Sequence, residues 1–186
     1  HPNITGKYQT RDISITIQEV KETIEKTGIG LFRFAGSTTP VSLSNRIADA
    51  LLTEGLHIEY SMFIRAESKA QERLPELVEC YEKIIRSGLR AVFLGVEAAN
   101  NVVLSKIMDK GGSVEDMYFT VKAIKQASYN QKIHLDVGVS FIYPCPIPPD
   151  SDITHEQILE ENLHLLRKLK NENSKPDSVL ITPGAP

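Results

Sequence analysis

Cysteine is scarce in this chain. Two occur in 186 residues, Cys80 and Cys145, too far apart to match a metal-ligating spacing. No apolar run reaches the roughly 18 residues that a membrane-spanning helix needs. No secretory signal peptide is visible. No basic stripe stands out: 21 Lys and Arg face 24 Asp and Glu, a formal net charge of -3, which gives no support for nucleic-acid binding. No linker rich in glycine, proline or serine divides the chain, so the expectation is one domain over 1–186. Its 41% hydrophobic and 24% charged content suit a globular chain with a core. Few cysteines and no leader fit a cytoplasmic protein.

What the chain does hold is alternation. His57, Glu59, Ser61, Phe63 and Arg65 alternate with Ile58, Tyr60, Met62 and Ile64. Ala91, Phe93, Gly95 and Glu97 alternate with Val92, Leu94 and Val96, and His134, Asp136, Gly138 and Ser140 alternate with Leu135, Val137, Val139 and Phe141. Each segment reads as a strand with one apolar and one polar face. Helical patterns lie between them, so the strands are expected to be parallel. A parallel sheet covered on both faces reads apolar on both. A polar second face therefore implies a curved sheet whose inner wall lines a wet cavity.

The patterns over 14–26, 42–54, 74–87, 101–108, 113–128 and 154–171 predict helices. Gly28 and Gly55 stop the first two, Ser42 or Ser44 caps the second, and Ser113 and Thr154 cap the last two. Glu115 and Asp116 suit the positive end of the helix after Ser113. Segments 30–35, 57–65, 90–97, 133–143 and 177–182 predict strands. The alternation implies right-handed βα units. A full eight-fold barrel takes ~250 residues, so the expected fold is α/β, a partial TIM-type (β/α) barrel of about five parallel strands with outer helices.

In such a barrel, function gathers at the C-terminal ends of the strands. Arg65 and Glu97 share the polar parity there. Together they could hold a zwitterion, Arg for a carboxylate and Glu for an ammonium or ribose hydroxyls, or close the rim as a salt bridge. Gly95 leaves room for a ligand against the wall. His134-x-Asp136 and His57-x-Glu59 each point two potential ligands one way, but near strand starts; interior polar packing is the simpler reading, and no metal is assigned. No lysine ends a strand with inward parity, which argues against a Schiff-base aldolase. Cys80 lies in an apolar helical pattern and reads as a buried small hydrophobe. Cys145, in a proline-rich loop, could be reactive, though nothing basic adjoins it. His155 and His164 read as surface residues.

Arg33-Phe34-Ala35-Gly36-Ser37, Phe63-Ile64-Arg65-Ala66 and Leu94-Gly95-Val96-Glu97-Ala98 resemble, in order, segments of radical S-adenosylmethionine (SAM) enzymes. Val103-Leu104-Ser105-Lys106-Ile107-Met108-Asp109-Lys110-Gly111 resembles the Lys-Gly segment that precedes a new helix in that superfamily. The likeness is to the branch that often carries a cobalamin-binding domain upstream. It implies SAM lying across the strand ends. Gly36 and Ser37 match the position of the Gly-Gly-Glu motif that receives the amino group, without its carboxylate. Glu97 matches the Glu after the fourth strand, and Asp136, Gly138 and Ser140 match a fifth strand that meets ribose or adenine. The usual Gly-x-Pro that follows is replaced by Ile142-Tyr143-Pro144. The resemblance thus implies cofactor-binding roles for Gly36, Ser37, Arg65, Glu97, Asp136 and Ser140.

The superfamily's C-x3-C-x2-C triplet, which binds a [4Fe-4S] cluster, is absent from this sequence. The strand register leaves the first strand and its cysteine loop just before His1. The expectation is then a fragment of a radical SAM enzyme whose longer parent uses SAM and [4Fe-4S], with cobalamin held by a missing domain. The fragment alone would be inactive, and its substrate is not legible. Two other readings stand beside this one. One is a TIM-barrel lyase or epimerase using Glu59, Glu97 or Asp136 as acid and base. The other is a non-catalytic part-barrel that serves as a binding scaffold.

Overall fold

The computed structural model describes residues 10–36 and 38–184. Asp12 accepts from the Ser14 N–H at 2.8 Å and starts α1 (Ile13–Thr27). Gly28 ends that helix at φ 69°, in the left-handed region where glycine has no side chain to clash. β1 (Leu31–Phe34) follows. α2 spans Val41–Thr53. It begins at Pro40, earlier than the expected serine caps, because proline cannot extend a helix backwards and suits its entry. Ser44 lies inside the helix, where its hydroxyl donates to the Pro40 carbonyl at 3.2 Å.

β2 (Glu59–Ile64) leads to α3 (Leu74–Arg86), and β3 (Leu89–Glu97) to the short α4 (Asn101–Lys106). α5 (Val114–Gln131) opens with a capping box between Ser113 and Asp116. β4 (Asp136–Ile142), α6 (His155–Asn171) and β5 (Ser178–Thr182) complete the described chain. The Thr154 hydroxyl caps α6 at the Gln157 N–H. The five strands form one parallel sheet in the order β1-β2-β3-β4-β5, so the fold is α/β, part of a TIM-type barrel.

The two sheet faces differ as the alternation requires. Tyr60, Met62 and Ile64 of β2, Val92, Leu94 and Val96 of β3, and Val137, Val139 and Phe141 of β4 are buried with Leu51, Leu77, Ile84, Ile85, Val121 and Ile124 from the helices. Each such side chain contributes roughly 1.5–3 kcal/mol by leaving water. Tyr60 is buried there too, its hydroxyl 2.8 Å from Ser87 Oγ, and burial pushes its pKa up to about 12.

On the other face the register builds rows. Arg33, Ser61, Ala91 and Asp136 form one; Phe63, Phe93, Gly138 and Ser178 the next; Gly95, Ser140 and Leu180 the third. This is the inner face, and its rows climb toward the C-terminal strand ends.

Candidate functional site

The third row opens into a cavity of about 440 Å³. Phe63, Arg65, Phe93, Gly95, Glu97, Lys110, Gly111, Gly112, Ser140 and Leu180 are among the residues that line it. Glu97 reaches it by an irregular route. Pairing between β3 and β4 shifts there, Gly95 facing Ser140 and Glu97 facing Phe141, so Val96 is the extra residue of a bulge. Glu97 itself sits at φ 65°, which is rare for a residue with a side chain. Such a bulge re-aims a side chain. Here the carboxylate folds back over Gly95, where a Cβ would lie 2.6 Å from Glu97 Oε1 and 3.2 Å from Lys110 Nζ.

Lys110 completes the arrangement. It lies between α4 and α5, its backbone N–H donating to the Leu104 carbonyl at 3.0 Å. Its ammonium donates to Glu97 Oε1 at 2.7 Å and to the Gly95 carbonyl at 2.9 Å. Both side chains are partly shielded, 32% and 22% exposed. Glu97 therefore pairs with Lys110, which overturns one of the two readings of the rim, its closure by an Arg65–Glu97 salt bridge. Arg65 is exposed at the cavity with no carboxylate partner among the described residues.

Of the other expected site residues, Ser140 lines the same cavity, half-buried beside Gly95. Gly36 follows β1 at its C-terminal end and borders a neighbouring cavity, with Thr38 shared between the two. Ser37 falls outside the described residues. Asp136 does not reach the cavity. It begins β4, four residues before Ser140, which is about 13 Å lower along the strand, and it meets the His134 ring at 2.9 Å.

Three groups at the sheet's opposite end come together: His134, Asp136 and Asp177 place one ligand atom each within 4.8 Å of one another, all exposed. Asp177 is already engaged, accepting from Lys125 Nζ at 2.5 Å and the Val137 N–H at 2.7 Å. Glu59, the first residue of β2, pairs with Arg90 at 3.1 Å. Glu59 and Asp136 thus begin their strands while Glu97 ends its own, so the three carboxylates considered as an acid–base set do not share one site.

The thiols serve elsewhere. Cys145 is buried, 2% exposed, within a small satellite core with Ala98, Val103 and Ile158, not open in its loop. Cys80 is half-buried, and Asn45 Nδ2 donates to its sulfur at 3.1 Å. Burial pushes both thiols up from their ordinary value. His155 and His164 are exposed as expected, and a His155 ring nitrogen lies 3.0 Å from the Cys145 carbonyl.

Sequence reasoning missed Lys110. The signal was present in the Asp109-Lys110-Gly111-Gly112 stretch, where two glycines after a lysine let a loop approach the strand ends.

No protein-family model matches this chain, and no significant match exists among curated proteins. Solved structures do match. The cobalamin-dependent S-adenosylmethionine radical enzyme OxsB, with aqua-cobalamin and S-adenosylmethionine bound, aligns with TM-score 0.61 at 18% identity, over 87% of this chain and 23% of its own. The radical S-adenosylmethionine methyltransferase TsrM from Kitasatospora setae aligns with TM-score 0.58 at 15% identity, over 86% and 29%. HydG, a maturase of the [FeFe]-hydrogenase, aligns with TM-score 0.55 at 14% identity, over 98% and 38%. The fold is that of part of these enzymes, and the chain spans well under half of each. No helix among the described residues is long and apolar enough to cross a membrane.

Proposed function

We propose that this chain is a core segment of a radical SAM enzyme and that its rim cavity receives SAM. The observation that carries the reading is the rim arrangement itself: a carboxylate folded over Gly95 and held by Lys110, an arginine with no carboxylate partner among the described residues, and a serine hydroxyl, gathered at C-terminal strand ends. The radical SAM fold of the aligned structures supports it.

These residues fit SAM. Glu97 would accept from its ammonium or ribose hydroxyls, Arg65 would donate to its carboxylate, and Ser140 would meet the ribose. Gly95 supplies the room that a side chain would fill. Gly36 would offer backbone groups at the end of β1, and a role for Ser37, which lies outside the described residues, is proposed on the resemblance alone. Lys110 acts as a positioning residue, fixing the Glu97 carboxylate between itself and the strand. The chemistry that SAM supplies in radical enzymes is reductive cleavage at its sulfonium, which starts hydrogen abstraction from a substrate.

A [4Fe-4S] cluster does not fit the residues of this chain. Its two thiols lie on different elements, one half-buried on α3 and one buried after β4, and desolvation favours their protonated forms. Cluster ligands would therefore come from residues outside these 186, in a C-x3-C-x2-C loop ahead of β1, and cobalamin from a further domain. On this reading the chain by itself does not cleave SAM.

The test is anaerobic cleavage of SAM to 5′-deoxyadenosine by a longer chain that supplies the cysteine loop, compared with its Glu97→Ala variant. Loss of the charge-assisted hydrogen bond should weaken SAM binding by about 1–3 kcal/mol. Absence of cleavage with the cluster intact would refute the radical reading. Unchanged affinity in the variant would remove Glu97 from the site.

A further inference from the structure

We propose that the inner face carries a second binding site just below the rim, in which Arg33, stacked on Phe63 and Phe93, holds the carboxylate or phosphate of an organic anion with a flat apolar body. This inference rests on reading the adjoining cavity as the cofactor site, and it names the substrate class that would lie beside that cofactor.

The charges of the inner face point to an anion. Its described carboxylates are engaged: Glu59 and Glu97 by ion pairs with Arg90 and Lys110, and Asp136 by a hydrogen bond with the His134 ring. Its arginines are not. Neither Arg33 nor Arg65 has a carboxylate within ion-pair distance among the described residues, and Arg33 donates no side-chain hydrogen bond there. Arg65 stands at the rim with the proposed cofactor groups. Arg33 stands two rows lower, paired in register with Ser61.

The contacts of Arg33 prepare it for a ligand. Its guanidinium carbon lies 4.7 Å from the Phe63 ring centroid and 5.8 Å from that of Phe93. Stacking on a ring face restrains the guanidinium by cation–π attraction and uses none of its five N–H donors. A restrained fork of unused donors matches the two oxygens of a carboxylate or phosphate.

The aromatic pair sets the rest of the ligand. The Phe63 and Phe93 rings are 5.8 Å apart, and both line the rim cavity with Leu180. Phe63 is 37% exposed and Leu180 58% exposed, so apolar surface faces the open space. Next to the rings the sheet carries small groups, and the row of Arg33 ends at Asp136 on β4. Ser61 and Ala91 continue the row of Arg33, and Gly138 lies so close to Phe93 that a Cβ there would sit 2.6 Å from the ring. Apolar space over two rings inclined by 43°, with an unengaged guanidinium against one of them, selects an aromatic body that stacks on one ring and carries an anionic end. An inorganic anion would leave the rings uncovered, and a neutral aromatic would leave Arg33 without an acceptor.

The test titrates 2-naphthoate, 2-naphthyl phosphate, 2-naphthalenemethanol and inorganic phosphate into the 186-residue chain. The chain has no tryptophan, so naphthyl fluorescence excited beyond the tyrosine absorption is read without protein emission. Both naphthyl anions should bind saturably, and the alcohol and inorganic phosphate at least ~10-fold more weakly, in line with loss of a charge-assisted contact. The stronger of the two anions tells a carboxylate from a phosphate ester. Arg33→Gln and Phe63→Ser should each weaken naphthoate by about 10-fold, while Lys170→Gln, which removes a remote surface charge, should not. Circular dichroism checks that each variant is folded. No saturable binding, equal binding of the alcohol, or unchanged binding by folded Arg33→Gln would overturn the proposal. SAM is titrated separately into the same proteins. Naphthoate binding through Arg33 without SAM binding, even in the longer chain that supplies the cysteine loop and its cluster, refutes the cofactor reading alone. SAM binding without naphthoate binding refutes this proposal alone.

Discussion

The carboxylate of Glu97 occupies the space that a side chain at position 95 would need: a Cβ on Gly95 would lie 2.6 Å from Glu97 Oε1. Gly95→Ala should therefore push the carboxylate off the strand and away from Lys110. The obstructing atom is the end of a flexible side chain, so the stability loss should fall at or below the low end of the ~1–3 kcal/mol expected for overpacking. SAM affinity should fall about tenfold, the order of one charge-assisted hydrogen bond. Calorimetric titration and thermal unfolding of the same preparation separate the two effects. Unchanged affinity would mean that the position of this carboxylate is irrelevant to the cavity.

Gly88 gives a contrasting case. It sits at φ 118°, and a Cβ there would lie 1.9 Å from the Ile58 carbonyl oxygen. Its own carbonyl accepts from the Tyr60 N–H at 3.0 Å, so the same residue pairs β2 with the start of β3. The obstruction is backbone and the conformation excludes most side chains. Gly88→Ala should destabilise the chain by at least ~2–3 kcal/mol, read as a lower denaturation midpoint. A loss under ~0.5 kcal/mol would show that the β2–β3 entry can open without penalty.

These glycines mark how far the sequence could be read. The period-2 alternation separated Tyr60, Met62 and Ile64 from Ser61 and Phe63 because each strand has only two faces, and the structure keeps that division. Ser113, Asp116, Thr154 and Gly28 were legible because a cap is a local hydrogen bond between near neighbours. Strand ends were read too long, as with 133–143 against Asp136–Ile142, because pairing stops before the pattern does. The bulge at Val96 was not legible. Strict alternation sends Glu97 the same way as Gly95, whereas the register shift and left-handed backbone turn its carboxylate back over the strand. Nor was its partner: Lys110 is thirteen residues away in a loop, where no period constrains a side chain. The burial of Cys145 was not legible because it depends on a satellite core assembled from α4, α6 and the loop after β4.

Asp116 links helix capping to pH. Burial pushes its carboxyl up, but hydrogen bonds from the Ser113 and Ala70 backbones outweigh that, leaving the pKa below its ordinary 3.8. The Ala70 N–H donates at 3.0 Å, so the cap of α5 also holds the loop before α3. A carboxyl depressed in the folded state adds stability above its unfolded pKa, and this contribution is lost as pH falls through the folded value. Asp116→Asn should lower stability by about 1–2 kcal/mol at neutral pH. The gap between variant and wild type should close below about pH 3.8. Denaturant midpoints from pH 7 to pH 2.5 test this, and a gap independent of pH would assign the loss to packing instead.

Iron content bears on the proposed chemistry most directly. On the proposed reading, a [4Fe-4S] cluster would take its thiolates from one short cysteine loop. This chain offers two thiols. Cys80 is on α3, outside the sheet, accepting a hydrogen bond from Asn45, and Cys145 is packed against Ala98, Val103 and Ile158. Burial raises both pKa values, which disfavours the thiolate that iron requires. Anaerobic reconstitution with iron and sulfide should therefore leave the 186-residue chain colourless, with iron far below one cluster per chain. Cys80→Ser and Cys145→Ser should change nothing in that assay. Adding a C-x3-C-x2-C loop ahead of β1 should raise iron toward four per chain, the content of one such cluster, and tighten SAM binding, to which a cluster would add a further anchor. Stoichiometric iron in the unextended chain, lost in either serine variant, would overturn this reading of the cysteines.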